Sequence, residues 1–243
     1  METSAQLKLQ LKELRLFSVI ENLEKRIKQA IEDKESYLDF LAGLVQDEID
    51  RRKFEKRQRR LHQACFKRLK YLKEFDFSFN PDINRQQIKS FETCDFIKKH
   101  ENIIICGATG VGKTHIAKGI GIEACNRGYN VIFTRVFKML EEIHSAKADA
   151  TVSKKIKKYN KPDLLILDDW GFRPFPDHLL DILNEVISER YESGSVIITS
   201  NRNITKWNEL FSEKVIASAL LDRIFHRCHK IIIKGKSYRT GAK

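Results

Sequence analysis

Eight residues in the middle of the chain have the types and spacing of a phosphate-binding loop. Residues 107–114 read GATGVGKT, a full match to the pattern G-x-x-x-x-G-K-[ST]. The apolar run NIIIC precedes them, and HIAKGIGIEACNRG, which has a helical pattern, follows them. Such a loop at a helix N-terminus surrounds phosphate oxygens with backbone N–H groups. The alternative is an accidental glycine-rich turn, which the correct strand and helix on either side argue against.

The last two residues of this loop suit the chemistry of a nucleoside triphosphate. We expect the Lys113 ammonium to reach the β- and γ-phosphates and the Thr114 hydroxyl to ligate Mg²⁺. Mg²⁺ is therefore a predicted cofactor. The predicted nucleotide-binding residues are Gly107, Ala108, Thr109, Gly110, Val111, Gly112, Lys113, Thr114 and His115.

Two acidic residues end a second apolar run, LLILDD at 164–169. Carboxylates are costly inside a buried strand, but they fit its exposed end. We predict that Asp168 holds Mg²⁺ through water and that Asp169 orients and polarises the attacking water. A strand that ends in a helix N-cap is the alternative interpretation.

Two more polar residues follow later elements. SVIITSN at 195–201 predicts a strand, and Asn201 at its end would reach the γ-phosphate or its water if that strand lies between the other two. Arg223, on a predicted helix, could act as an arginine finger into a neighbouring subunit's nucleotide. The alternatives are an ordinary strand-to-turn Asn, and an Arg that is solvated or paired with Asp222.

Short apolar runs must position these residues. The runs NIIIC, NVIFT, DLLILD, SVIIT and HKIII are mostly β-branched, and segments with a helical pattern separate them. This arrangement is typical of a parallel sheet buried on both faces. The sequence therefore predicts an α/β domain from about residue 89 onward.

The N-terminal part predicts an all-α domain instead. Between residue 5 and about residue 72 there is no Pro and one Gly, and apolar residues recur at helical spacing from Leu7 to Ile31. Ser36 and Asp39 then predict a capping box for a second helix that runs to about residue 72. The segment FDFSFNPDI at 75–83 predicts an extended linker with its aromatic residues anchored on the next domain.

Positive charge is concentrated on the second predicted helix. The chain carries a formal net charge of +12, and residues 51–73 hold eleven Lys or Arg against one Glu, which is 11 − 1 = +10. A local basic patch indicates a surface for a polyanion, here duplex DNA. A solvated helix, or one that grips an acidic protein, is the alternative. The predicted DNA-binding residues are Arg51, Arg52, Lys53, Lys56, Arg57, Arg59, Arg60, Lys154 and Lys155.

Helical spacing divides this basic segment into two faces. Four cations lie three or four residues apart, on neighbouring rows of the predicted charged face: Arg52, Lys56, Arg59 and Arg60. Four other residues of the segment are predicted to point toward the core: Leu61, Cys65, Leu69 and Leu72.

Composition excludes several classes of protein. The five cysteines are scattered and form no C-x-x-C pair, which argues against a disulfide scaffold or zinc ribbon and favours a reducing compartment. The charged N-terminus predicts no signal peptide, and the apolar runs are far shorter than the roughly 18 residues of a membrane span. We therefore expect a cytoplasmic protein with no membrane partner.

In this order and spacing, the segments GATGVGKTHIA, LLILDDWG, VIITSNR, LLDRIFHR and KGKSYR resemble the IstB family. These are ATP-binding helper proteins of bacterial insertion-sequence transposition, similar to the DnaC type of helicase loader within the AAA+ ATPases. The resemblance covers essentially the whole chain, including YLDFLAGLVQDEIDRR and the FDFSFNP linker.

The resemblance implies an AAA+ core with strand order 5-1-4-3-2, preceded by a small helical domain. It also implies ATP as the nucleotide, homo-oligomers that form with ATP, and an assembly that deforms duplex DNA and recruits or stimulates a partner transposase. Asn201 matches the polar sensor, and Arg223 matches the finger in trans. Asp169 departs from the many relatives that have Glu there, which puts its catalytic strength in question.

The C-terminal end and the domain bounds complete the prediction. About ten residues follow HKIII, so we expect no C-terminal lid, and Arg239 is the remaining candidate for a second sensor. We assign residues 1–74 to the helical domain, 75–88 to the linker and 89–243 to the ATPase domain.

Two functions compete with that of a transposition ATPase. A loader whose N-terminal helices grip a replicative helicase is the first alternative. A small-molecule kinase is the second, but it gives no role to the basic helices, Asn201 or Arg223.

Overall fold

The computed structural model describes residues 2–81, 83–235 and 237–238, and side chains from residue 5 onward. The chain divides into two compact units, Met1–Arg59 and Arg60–Lys243. Residues 60–88, which the sequence assigns to the helical domain and the linker, thus fall in the second unit, and the predicted domain bounds stay a prediction. Arg239 lies outside the described residues.

Helices build the N-terminal unit: α1 (Glu2–Glu13), α2 (Phe17–Glu32) and most of α3 (Tyr37–Gln63). The continuous helical pattern predicted from Leu7 to Ile31 was wrong as one helix, because the backbone turns at Arg15, which adopts a left-handed φ of 58°. Among the described side chains of this unit, the buried apolar cluster consists of Val19, Leu23 and Leu44, which are 5–7% exposed. No described helix is long and apolar enough to cross a membrane.

A buried carboxylate compensates for this small apolar core. Glu48 is 4% exposed and accepts hydrogen bonds from the Ser18 backbone N–H, from Arg51 and from Arg52. The Arg51 and Arg52 guanidiniums hold the pKa of Glu48 at about 2, against the opposing effect of burial. The bond from the Ser18 N–H therefore joins α2 to α3, and the two arginines, which lie on α3 with Glu48, keep the carboxylate ionised.

The start of α3 confirms the predicted capping pair, and its end corrects the predicted length. The Asp39 N–H donates to Ser36 Oγ at 3.2 Å, and the Ser36 hydroxyl donates to Asp39 at 2.6 Å. The helix ends at Gln63 rather than near residue 72, and Cys65 has a left-handed φ of 60°. Of the four residues predicted to point toward the core, Leu61 and Leu72 are buried, which confirms the prediction for them. Cys65 and Leu69 are exposed, because the helix ends before them.

The second unit contains a five-stranded parallel sheet in the order β2-β3-β4-β1-β5, the order that the resemblance implies. The strands coincide with the predicted apolar runs and are β1 (Asn102–Gly107), β2 (Val131–Arg135), β3 (Leu164–Trp170), β4 (Ser195–Ser200) and β5 (Cys228–Ile233). The helices are α4 (Arg85–Ser90), α5 (Asp95–Lys98), α6 (Lys113–Asn126), α7 (Val136–Ser145), α8 (Val152–Asn160), α9 (Asp177–Arg190) and α10 (Lys214–Phe225).

The central strands are buried on both faces, as predicted for a parallel sheet. Two apolar clusters lie on its opposite sides, and Ile104 and Ile105 belong to different ones. On one side α6 packs unusually close: a Cβ on Gly119 would lie 2.6 Å from Leu72, and one on Gly121 would lie 2.6 Å from Ile166. The two glycines therefore allow α6 to lie close to both the sheet and the segment that follows α3.

The linker aromatics pack on the second unit, as the sequence predicted. The Phe75 and Phe77 rings meet edge to face with centroids 4.8 Å apart, and Phe79 packs on Tyr238 at 4.3 Å. Asn80 donates from Nδ2 to the Val111 carbonyl at 3.3 Å. The linker thus lies against the loop between β1 and α6.

A buried arginine binds the backbone at the amino ends of two central strands, at the end of the sheet opposite the loop between β1 and α6. Arg190, at the end of α9, is 1% exposed, and burial lowers its pKa to about 10. Its two terminal nitrogens donate to five backbone carbonyls, at distances from 2.8 to 3.3 Å: those of Tyr159, Asn160, Pro162, Asp163 and Ser195. One side chain therefore joins the end of α8 to the amino ends of β3 and β4.

We predict that Arg190→Met lowers the free energy of unfolding by about 3 kcal/mol, because buried carbonyls lose their donors. Arg127→Met is the matched control: its exposed pair with Glu123 spans 3.5 Å, and its loss should cost less than about 1 kcal/mol. Urea unfolding measures both values. Equal costs for the two variants would contradict a structural role for Arg190.

Candidate functional site

The phosphate-loop sequence forms the predicted turn between β1 and α6. Gly110 and Gly112 have φ values of +86° and +101°, which residues with side chains rarely adopt. The Lys113 ammonium donates to the carbonyls of Gly107 and Ala108, at 2.9 and 2.7 Å. The lysine therefore lies within the curve of the loop, at the N-terminus of a 14-residue helix.

The structure brings Thr114 and Asp168 together, although 54 residues separate them. The Thr114 hydroxyl donates to Asp168 Oδ1 at 2.8 Å. Asp168 is 5% exposed and lies near the carboxyl end of β3. A hydroxyl and a carboxylate are the oxygen donors that Mg²⁺ prefers, so these two residues fit a magnesium site.

Asp169 differs from Asp168 in backbone conformation and in exposure, and the strand bulges in this interval. Leu167 pairs with Ile198 and Trp170 with Ser200, so β3 has one residue more than β4 in this interval. Asp169 has a left-handed φ of 61°, and its side chain is 49% exposed. Of the two neighbouring carboxylates, Asp168 is therefore the buried one that contacts Thr114, and Asp169 is half exposed.

β4 lies between β3 and β1, which is the arrangement that the prediction for Asn201 required. Asn201 follows the strand directly and is exposed. On this strand, Thr199, two residues before Asn201, also contacts Asp168: its hydroxyl donates to Oδ1 at 2.5 Å. Sequence reasoning missed Thr199, although the two-residue period of a strand places it on the same face as Asn201.

Two cations near the acids were also missed. Arg135 ends β2 opposite Asp168, and its Nε lies 3.2 Å from Asp169 Oδ2. Lys118 lies one helical turn after Thr114; burial lowers its pKa, and the nearby Asp168 carboxylate opposes that shift. The strand-end position and the four-residue spacing were the available signals.

The predicted nucleotide-binding residue His115 faces the linker. Its Nε2 lies 2.9 Å from the Tyr71 carbonyl oxygen, and the Phe75 ring packs on it edge to face at 5.2 Å. A Cβ on Gly112 would lie 2.5 Å from the same Phe75 ring. The segment that follows α3 is therefore fitted to the loop itself.

Arg223 does not lie beside its own phosphate loop. It is in the last turn of α10, donates to the Ala219 carbonyl at 3.2 Å, and lines a cavity of about 20 Å³ with Asn102 and Arg190. Asn102 begins β1, and the loop begins where β1 ends, about 16 Å away at strand geometry. The structure thus places Arg223 near the amino ends of the strands, at the end of the sheet opposite the phosphate loop.

Comparison with known proteins assigns the family. A sequence model of the family described as IstB-like ATP binding protein matches residues 9–243. The chain belongs to this family. It is 32% identical, over 238 residues, to a protein of Pseudomonas aeruginosa named for ATP binding in insertion sequence IS21, an alignment that covers 98% of this chain and 90% of that one.

Solved structures support the AAA+ fold of this IstB-like chain. The crystal structure of DnaI gives a TM-score of 0.59 at 25% identity, over 67% of this chain and 90% of that chain. The DnaC helicase loader gives 0.55 at 19% identity, over 61% of this chain and 87% of that one. The second unit is therefore an AAA+ α/β domain, preceded in this family member by α-helices.

Several cations of the predicted DNA-binding set are paired with acids of α3. Arg51 and Arg52 contact Glu48, and Arg51 also contacts Glu55. Two longer ion pairs on the same helix are Lys53–Asp50 at 3.7 Å and Arg59–Glu55 at 3.6 Å. The structure therefore divides the predicted DNA-binding cations into two groups. Arg51 and Arg52 contact the buried Glu48, whereas Lys56 and Arg59 are exposed.

Cations on α8 differ from one another in the same way. Lys155 donates to Glu142 on α7 at 2.9 Å, whereas Lys154 is exposed. Lys155 therefore ties two helices together, and Lys154 is the one of the pair that faces solvent.

We predict that Gly112→Ala abolishes nucleotide binding, because the new Cβ meets both a left-handed φ and the Phe75 ring. Gly128→Ala is the control: Gly128 has a φ of +102°, but a Cβ there would come no closer than 3.8 Å to a neighbour, and it lies after the far end of α6. Gly128→Ala should lose about 1–2 kcal/mol of stability, from the left-handed φ alone, and should still bind a fluorescent ATP analogue in titration. Gly112→Ala should lose more stability than that, and it should lose the analogue.

Proposed function

We propose that this protein is a Mg²⁺-dependent ATPase that regulates transposition. It assembles on duplex DNA as a homo-oligomer, deforms the DNA and recruits or stimulates a partner transposase. The observation that carries the ATPase proposal is the 2.8 Å contact between Thr114 and Asp168. Thr114 directly follows Lys113, the lysine of the phosphate loop. The free cysteines support a reducing cytoplasm as the site of action.

The proposed hydrolysis divides the work among side chains of this site. Lys113 neutralises the β- and γ-phosphates, and Thr114 and Asp168 hold Mg²⁺, which supplies positive charge to the phosphate oxygens. Asp169 faces solvent and orients the attacking water, and Asn201, at the end of the neighbouring strand, contacts the γ-phosphate or that water. Arg135 lies beside Asp169 and fixes the direction of its carboxylate.

Self-assembly follows from the position of Arg223. Because Arg223 lies at the end of the sheet opposite its own phosphate loop, its proposed role as an arginine finger requires a second subunit. The γ-phosphate then becomes part of an interface between subunits, and ATP favours the oligomer.

DNA is the proposed polyanion. The +10 charge of residues 51–73 and the insertion-sequence name of the relative support DNA and a transposase as partners. The fold similarity to a helicase loader supports the second candidate, a loader that binds a replicative helicase. Phosphate contacts dominate the proposed DNA binding, so it is largely independent of base sequence.

We predict that Lys113→Ala loses nucleotide binding or turnover, because the phosphate charge is left uncompensated.

Asp169→Asn should bind ATP but turn it over roughly a hundredfold more slowly, since an amide is a poorer partner for water. Phosphate release measures turnover, and a fluorescent analogue measures binding. Equal rates for wild type and Asp169→Asn would remove Asp169 from the mechanism.

Mixed assemblies are the control for the trans role. Arg223→Ala and Asp169→Asn should each be slow alone, and an equimolar mixture should recover activity, because some interfaces combine an intact acid with an intact arginine. Lys206→Ala, an exposed cation on another segment, should leave the rate unchanged. Turnover that does not depend on protein concentration would contradict assembly.

We predict that Lys56→Gln, Arg59→Gln and Arg60→Gln together reduce the salt dependence of DNA binding. If each cation neutralises one phosphate, the slope of log K against log salt should become shallower by about 2.7. Fluorescence anisotropy with a labelled duplex at several salt concentrations measures this slope, and ATP affinity should be unchanged.

Removal of the same charge elsewhere provides the control. Lys89, Lys99 and Lys147 are exposed, and changing them to Gln should leave the slope as in wild type. An unchanged slope in the α3 variant would favour the helicase-loader function.

A further inference from the structure

The Thr199 hydroxyl occupies a position between the two acids of the site. Thr199 is 1% exposed, and its Oγ1 lies 2.5 Å from Asp168 Oδ1 and 3.2 Å from the Asp169 backbone nitrogen. A carboxylate oxygen can only accept, so the hydroxyl proton goes to Asp168. A lone pair of the same oxygen accepts the Asp169 N–H.

The backbone N–H of Asp169 lies at the bulge in β3. The bulge in β3 inserts one residue between the pairs Leu167–Ile198 and Trp170–Ser200, so regular strand pairing is interrupted at Asp169. A backbone donor without a partner is costly inside a protein. The Thr199 hydroxyl therefore accepts a backbone hydrogen bond at the left-handed residue of the bulge.

The same hydroxyl constrains Asp168. Its Oδ1 accepts from both Thr114 and Thr199, so one carboxylate oxygen is fixed from the phosphate-loop side and from β4. Loss of the Thr199 hydroxyl would leave Asp168 with one of these two donors and would release the Asp169 backbone. Each acid would then lose one of the contacts that position it.

We propose that Thr199 is a positioning residue that holds Asp168 and Asp169 in register for Mg²⁺ binding and water activation. The inference rests on the proposed ATPase function. It assigns Thr199 an effect on turnover and on the Mg²⁺ dependence of ATP binding, and none on ATP binding without Mg²⁺. Asn201, which is exposed, keeps its separate proposed role toward the γ-phosphate.

The test compares Thr199→Val, which keeps the shape and removes the hydroxyl, with Thr199→Ser, which restores it. Thr199→Val should reduce turnover by about tenfold or more and raise the half-saturating Mg²⁺ concentration by about tenfold, while Thr199→Ser stays within about threefold of wild type. Affinity for a fluorescent ATP analogue in EDTA should be unchanged. Turnover and Mg²⁺ dependence as in wild type for Thr199→Val would overturn the proposal.

Two controls separate this role from a structural one. Ser195→Ala removes another buried hydroxyl from β4, one that donates to the Phe96 carbonyl at 3.2 Å at the far end of the strand, and it should keep the wild-type turnover. If Thr199→Val fails to fold, Thr199→Ser and Thr199→Ala differ only in the hydroxyl and decide the question. Equal turnover for those two would overturn the proposal.

Failure of the proposed function has a different signature. Wild-type protein without turnover, even with DNA and transposase, would reject the ATPase and leave the Mg²⁺ titration of nucleotide binding as the measurement for Thr199. A half-saturating Mg²⁺ concentration that is the same in Thr199→Val and wild type would then reject the role of Thr199 itself.

Discussion

The contact between the Thr114 hydroxyl and the Asp168 carboxylate is the interaction on which the rest of this site depends. It joins the first turn of α6 to the end of β3, and it exists because β4 separates β1 from β3 in the sheet. Parallel strands bring their carboxyl ends to one edge, so the loop after β1 and the acids of β3 meet there. The close packing of Gly121 against Ile166 holds α6 at the required height above the sheet.

The carboxyl ends and the amino ends of the parallel strands carry different chemical groups. At the carboxyl edge, hydroxyls and carboxylates form a polar site beside a loop with left-handed glycines. At the amino edge, the buried Arg190 guanidinium binds backbone carbonyls and fixes the strand ends that adjoin Arg223. An arginine held on a rigid edge can meet another subunit's nucleotide in a defined geometry, and this is the physical basis for the proposed activity in trans.

The N-terminal unit uses charge in two ways. Glu48, which accepts from the Ser18 N–H of α2, also pairs with Arg51 and Arg52 of its own helix. Farther along α3, Lys56 projects into solvent. A count of cations in the sequence cannot separate these roles, because Glu48 lies outside the basic segment and becomes their partner only through the helical spacing of three and four residues.

The strands, the phosphate loop, the acids near the end of β3 and the AAA+ family could be predicted from the sequence, because short-range patterns encode them: apolar runs, glycine spacing and strand-end carboxylates. Other features depend on tertiary structure. The bulge at Asp169, the Thr199 hydroxyl between the two acids, and the pairing of Arg135 with Asp169 all require particular strands to be neighbours in a particular register. The end of α3 at Gln63 and the turn at Arg15 could not be predicted from helical periodicity either. The apolar spacing continues past both points, and the packing of the residues that follow depends on the tertiary fold.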